Sequence, residues 1–155
     1  MAKTPKKPKR APPKKRPAAK RPPARSQPET LRLRRILPSF TVTDLQRSIA
    51  FYRDVLGFVI GEEWRENGTL LGCEIHAGAA TFMLGQDDFA KGRDREKGLG
   101  TRVWCHTAQD LDRLATDIKA RGGELDQEPQ VMSWGDRVFM ISDPDGFKLT
   151  FVQAR

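Results

Sequence analysis

The sequence predicts an α+β domain made of two similar halves, each strand–helix–strand–strand–strand, behind a disordered basic tail. Three observations lead there. Asp44-Leu45-Gln46-Arg47-Ser48 and Asp110-Leu111-Asp112-Arg113-Leu114 read alike. Each opens an amphipathic segment that follows an apolar run and closes at glycine, Gly57 in one case and Gly122-Gly123 in the other. Near residue 34 the composition also changes, from Lys, Arg, Pro and Ala to a mixture able to form a core.

Residues 1–35 carry 14 Lys or Arg against one acid, Glu29, a net of +13. Residues 36–155 carry 14 Lys or Arg against 19 Asp or Glu, a net of −5. The overall charge of +8 therefore joins a basic tail to an acidic body. The tail holds eight of the eleven prolines and no aromatic residue. It buries too little apolar surface to offset its ordering entropy, so residues 1–33 are expected to be disordered. Residues 34–155 suffice for one domain with a core. No apolar stretch follows the first basic residues, so no secretory leader is expected. No run approaches the ~20 apolar residues that span a bilayer. Cys73 and Cys105 lie far apart in apolar runs, without metal-type spacing. They are expected to be reduced thiols of a cytoplasmic protein, although the sequence leaves a disulfide between them open.

The first half covers residues 34–86. A strand is expected over 36–42, and Thr43-Asp44-Leu45-Gln46 fits a capping box with Thr43 at the N-cap. Leu45, Ile49, Tyr52 and Leu56 then form a helical stripe. Strands follow over 58–64, 70–76 and 81–84, with a turn at Glu66-Asn67-Gly68. A polar linker spans 87–99. The second half, 100–155, repeats the order: strand 101–107, a helix carrying Leu111, Leu114, Ala115 and Ile118, then strands 124–131, 137–142 and 147–152. Asp143-Pro144-Asp145-Gly146 suits a type I turn, with Pro at i+1 and Gly at i+3.

Val42-Thr43-Asp44-Leu45-Gln46-Arg47-Ser48, Phe51-Tyr52 and Val55-Leu56-Gly57-Phe58 carry a further signal, together with Asp143-Pro144-Asp145-Gly146-Phe147 and Lys148-Leu149-Thr150-Phe151. Over about residues 34–154 the chain resembles the vicinal oxygen chelate superfamily. That group includes glyoxalase I, extradiol dioxygenases, fosfomycin-resistance enzymes and bleomycin-resistance binding proteins. The resemblance implies two βαβββ modules whose sheets form an open cup, with the helices on its convex side. It also implies homodimers in many members.

The resemblance further implies a divalent metal at the cup floor, held by His and Glu from the first and fourth strands of each half. The metal acts as a Lewis acid on vicinal oxygens. Counting from the two Asp-Leu motifs and from Asp145-Gly146, the four positions fall on Leu37, Met83, Val103 and Thr150. The third is uncertain by one residue, which admits Arg102 or Trp104. None of these is a fit ligand for a hard or borderline cation. No cofactor is therefore expected, and catalysis of the family's type is not favoured.

Other residues remain as candidates. Glu74 and His76 share a strand face and, with His106, form a weak alternative metal set; the plainer reading is surface histidines beside a solvated carboxylate. Trp64, Trp104 and Trp134 suit a pocket lining, or simple packing. Arg102 and Arg137 suit an anionic ligand group, or ordinary salt bridges. In the tail, Lys6, Lys7, Lys9 and Arg10, with Lys14, Lys15 and Arg16, suit non-specific contact with nucleic acid or another anionic surface.

The function expected is metal-independent binding of a small molecule between the halves, resembling the bleomycin-resistance branch. The acidic body favours a cationic or amphipathic ligand by long-range attraction. The alternatives are a lyase, isomerase or dioxygenase with a relocated metal site, and an accessory protein held near nucleic acid by its tail.

Overall fold

A computed structural model describes residues 35–154. The expected tail and its basic clusters lie outside the described residues. The chain runs β1 (Ser39–Val42), α1 (Leu45–Ala50), a π-helical turn (Phe51–Val55), β2 (Val59–Glu66), β3 (Thr69–Ala77) and β4 (Ala80–Gln86). The order then repeats as β5 (Arg102–Thr107), α2 (Leu111–Ala120), β6 (Gln127–Val131), β7 (Arg137–Ser142) and β8 (Lys148–Gln153). The strands form two four-stranded sheets, ordered β1-β4-β3-β2 and β5-β8-β7-β6. In each, the first strand runs parallel to the fourth and the other pairs are antiparallel. Each half is thus a βαβββ module.

Local chemistry sets the element ends. Asn67 and Gly68 both have positive φ, +47° and +82°, which a two-residue hairpin between β2 and β3 requires. Strand β1 starts at Ser39, three residues later than expected. Pro38 has no N–H to donate, and pairing begins at its carbonyl, which accepts from Met83 N at 2.8 Å. Strand β6 starts at Gln127 rather than residue 124, because Leu125 turns in to pack against the core.

The helix caps also differ from expectation. The cap of α1 is Asp44, whose carboxylate accepts from Arg47 N at 3.0 Å, rather than Thr43. Asp110 caps α2 in the same way, accepting from Arg113 N at 2.8 Å. A carboxylate also suits the positive end of the helix dipole. Gln86, at the end of β4, then clamps the start of α1. Its Oε1 accepts from Leu45 N at 3.0 Å and its Nε2 donates to the Thr43 carbonyl at 2.9 Å. Gln153, at the end of β8, does the same for α2, through Leu111 N at 3.2 Å and the Gln109 carbonyl at 3.0 Å.

Strand alternation gives each sheet a helix side and an open side. Phe40, Val42, Ile75 and Leu84 of the first sheet, and Phe139, Ile141, Leu149 and Phe151 of the second, join one core with both helices. The halves meet through the Asp143–Phe147 turn. Tyr52 Oη donates to Asp143 Oδ2 at 3.0 Å, Thr43 N donates to Asp145 Oδ2 at 3.1 Å, and Phe40 stacks on Phe147 at 4.4 Å. The expected polar linker is tied down at Asp87, which is buried. Its carboxylate takes Phe89 N and Arg95 Nη2, each at 2.9 Å, and Lys97 Nζ. These bonds, Lys97 first, hold the Asp87 carboxyl well below the usual range.

Candidate functional site

The open side of the first sheet carries Trp64, Glu74, His76 and Met83. Met83 pairs in register with Ser39 on one side and Glu74 on the other. Glu74 is already engaged: its Oε1 accepts from Arg35 at 2.9 Å, and His76 Nε2 stands 3.5 Å from its Oε2. His76 Nδ1 meets Thr81 Oγ1 at 3.0 Å. Two glycines make room on this face. A Cβ at Gly61 would strike the His76 imidazole, and one at Gly72 would strike the Trp64 ring.

The open side of the second sheet carries Arg102, Trp104 and His106 from β5, Lys148 and Thr150 from β8, and Met140 from β7. The register decides this. Trp104 pairs with Thr150, and Thr150 with Met140. Val103 instead packs against the core on the helix side, with Cys105. The count that put the third family position on Val103 is therefore displaced by one residue, and Arg102 and Trp104 are the residues on the face of Thr150. Arg102 Nη1 donates to Thr150 Oγ1 at 2.9 Å and points to Met140 Sδ at 3.1 Å. Trp104 and Trp134 meet edge to face at 6.4 Å, each about half exposed.

Arg137 lies away from this face. It donates to Asp112 of α2 at 2.6 Å, a bond that raises the guanidinium pKa further. Burial pushes the Cys73 and Cys105 thiols each up to about 11. Both are free of disulfides and neutral near pH 7.

A cleft of about 860 Å³ lies between the halves, along the β5 edge. Leu37, Phe58, Phe82, Val103, Leu114 and Phe151 give it an apolar lining; Trp104 and His106 stand where it meets the open face. Leu37, Val103 and Trp104 thus converge here, whereas Trp64, Met83, Trp134, Arg137 and Thr150 do not line it. Nothing in the sequence had marked Phe58, Phe82 or Leu114 as lining residues, because their apolar periodicity is the same as that of core positions.

The four family metal positions now hold Leu37, Met83, Arg102 or Trp104, and Thr150. This donor set lacks any imidazole or carboxylate, so it does not fit a divalent cation. The alternative set of Glu74, His76 and His106 is split between the sheets. Among the described residues, no three His, Cys, Asp or Glu side chains are grouped to hold a metal.

Residues 32–151 match the Glyoxalase/Bleomycin resistance protein/Dioxygenase superfamily. The chain belongs to that superfamily. The chain is 30% identical over 127 residues to a lactoylglutathione lyase of Haemophilus influenzae, covering 74% of this chain and 87% of the relative. It is 26% identical over 132 residues to a lactoylglutathione lyase of Salmonella typhimurium, covering 79% and 94%. Among solved structures, TioX from Micromonospora sp. ML1 superposes with a TM-score of 0.63 at 20% identity, covering 76% of this chain and 96% of that one. The last likeness speaks to fold. Within this superfamily the β1-β4-β3-β2 and β5-β8-β7-β6 sheets are the two modules.

Proposed function

We propose that this protein binds a small molecule without a metal, in the cleft along β5 and on the adjoining open face of the second sheet. The observation that carries the reading is the donor set. Thr150 is completely buried and accepts a hydrogen bond from Arg102, so its oxygen is already used. Leu37 and Met83 add only an apolar surface. A cleft of about 860 Å³ with an apolar lining and few polar points suits a drug-sized or metabolite-sized ligand. Trp104, about half exposed, stands at the boundary of cleft and face, where its indole can meet such a ligand. In this reading the protein sequesters its ligand, as a bleomycin-resistance-like protein would, and works as a homodimer.

The lactoylglutathione lyase relatives favour a second reading, an enzyme of the same fold. It requires a relocated metal, and Glu74, held by Arg35 and next to His76, is the only carboxylate–imidazole pair on either open face among the described residues.

Thermal-shift screening of the full chain against aromatic and amphipathic metabolites and antibiotics tests the first reading. A hit should raise the melting midpoint in the wild type and much less in Trp104→Ala. If no compound shifts the midpoint and Trp104→Ala behaves as wild type, the binding reading loses its basis.

A further inference from the structure

We infer that Arg102 supplies from the chain itself a fixed positive charge on the open face of the second sheet, and that the ligand of this face is an aromatic carboxylate. The inference rests on the small-molecule reading above and names the ligand class of that site.

Arg102 spends one N–H group on Thr150 and Met140, both neutral. Its other donors have no carboxylate partner among the described residues. Lys148 is its register partner on β8, on the same face. The rest of that face is Trp104, His106, Thr150 and Val152, with Val138, Met140 and Ser142 from β7 and Gln127 and Gln130 from β6. Two acids border this face, Asp126, whose carboxylate accepts from Ser142 Oγ at 2.7 Å, and Asp136, whose carbonyl accepts from Met132 N at 2.8 Å; neither is bonded to Arg102. Long-range attraction toward cations is screened over about 8 Å in physiological salt, so contact residues set the sign of a bound ligand.

Val138 and Val152 are fully buried beneath the side chains of this face and stand outside the helix-side core. The indoles of Trp104 and Trp134 rise beside it at an interplanar angle of 60°. A flat ring fits against such indoles by stacking or edge contact. A carboxylate on that ring can then take two parallel N–H donors of the guanidinium, which Thr150 holds in place from below. A cationic ligand would meet the Arg102 guanidinium and its register partner Lys148.

Calorimetric titration of the full chain with 2-naphthoate, its neutral amide and 2-naphthylmethylammonium tests this in physiological salt. We expect one site for naphthoate, bound at least about tenfold tighter than the amide, the worth of a charge-assisted hydrogen bond. Arg102→Gln should remove that preference, so that naphthoate binds no tighter than the amide. Lys148→Gln should lower naphthoate affinity by a smaller factor, and gives a second reading if Arg102→Gln melts at a lower temperature. Tail binding of anions is the same in all variants and cannot imitate the difference. Equal affinity for acid and amide, or a preference that survives Arg102→Gln, overturns the inference. If the amide or the ammonium still binds in a Trp104-dependent way, the small-molecule reading stands without it; if no probe binds, both fall.

Discussion

At the scale of single residues, the structure separates groups that hold the fold from groups free to meet a ligand. Tyr52 is completely buried, and its hydroxyl is bonded to Asp143. Burial, with the neighbouring carboxylate, raises its pKa, and burial also raises that of Asp143. Tyr52→Phe leaves that carboxylate short of a donor and should cost about 1–3 kcal/mol in urea denaturation. The two buried carboxylates respond to pH in opposite senses. The Asp87 pKa is depressed, so its contribution is present above about pH 4 and fades as the pH falls further. The Asp143 pKa is raised, so its contribution is present below about pH 4 and is lost as the pH rises through its folded value. The stability gap between wild type and Asp87→Asn should therefore shrink on acidification. A gap unchanged between neutral and strongly acidic pH would contradict this role for Asp87.

Elements show what the sequence could and could not reveal. The repeat of Asp44-Leu45 and Asp110-Leu111 was legible because helix periodicity and caps are local, and both modules formed where the repeat placed them. The cap assignment failed by one residue at Thr43, since Thr and Asp are both good caps and only geometry chooses between them. Gln86 and Gln153 were invisible, because their role as clamps joins the end of one element to the start of another some 40 residues away. Gln86→Ala and Gln153→Ala should each lower stability by about 1 kcal/mol, and with the two clamps in separate modules the losses should add. A larger loss in the double variant would mean that the modules communicate through the helix starts. The strand register at β5 was the other illegible feature. A slip of one residue exchanges the faces of a strand, and β5 has Val103 and Cys105 interleaved with Arg102, Trp104 and His106, so its pattern did not decide. The second-sheet site therefore became readable only once Trp104 was seen paired with Thr150.

For the whole molecule, the main features are two open sheet faces and the charge asymmetry. Trp64, Trp104 and Trp134 are all at least one-third exposed, and β1 and β5 are edge strands. Pairing of two copies would remove this apolar surface from water. Light scattering of the full chain should give twice the mass of one chain, and a monomer at micromolar concentration would argue against a dimeric site. Residues 1–35 carry +13, and the tail should bind DNA with an affinity that falls steeply with salt. Removal of residues 1–30 should abolish that binding; retention after truncation would place the nucleic-acid contact on the body.

The superfamily's fold is present here, and the cup positions that the resemblance assigns to a metal hold Leu37, Met83, Arg102 or Trp104, and Thr150, so no metal is expected there. Metal analysis of the full chain, expressed in metal-replete medium and purified without chelator, tests it most directly. Ni, Zn, Mn and Fe should all stand far below one equivalent per chain, with no change in His76→Ala. One equivalent of any of them, lost in His76→Ala, would contradict it.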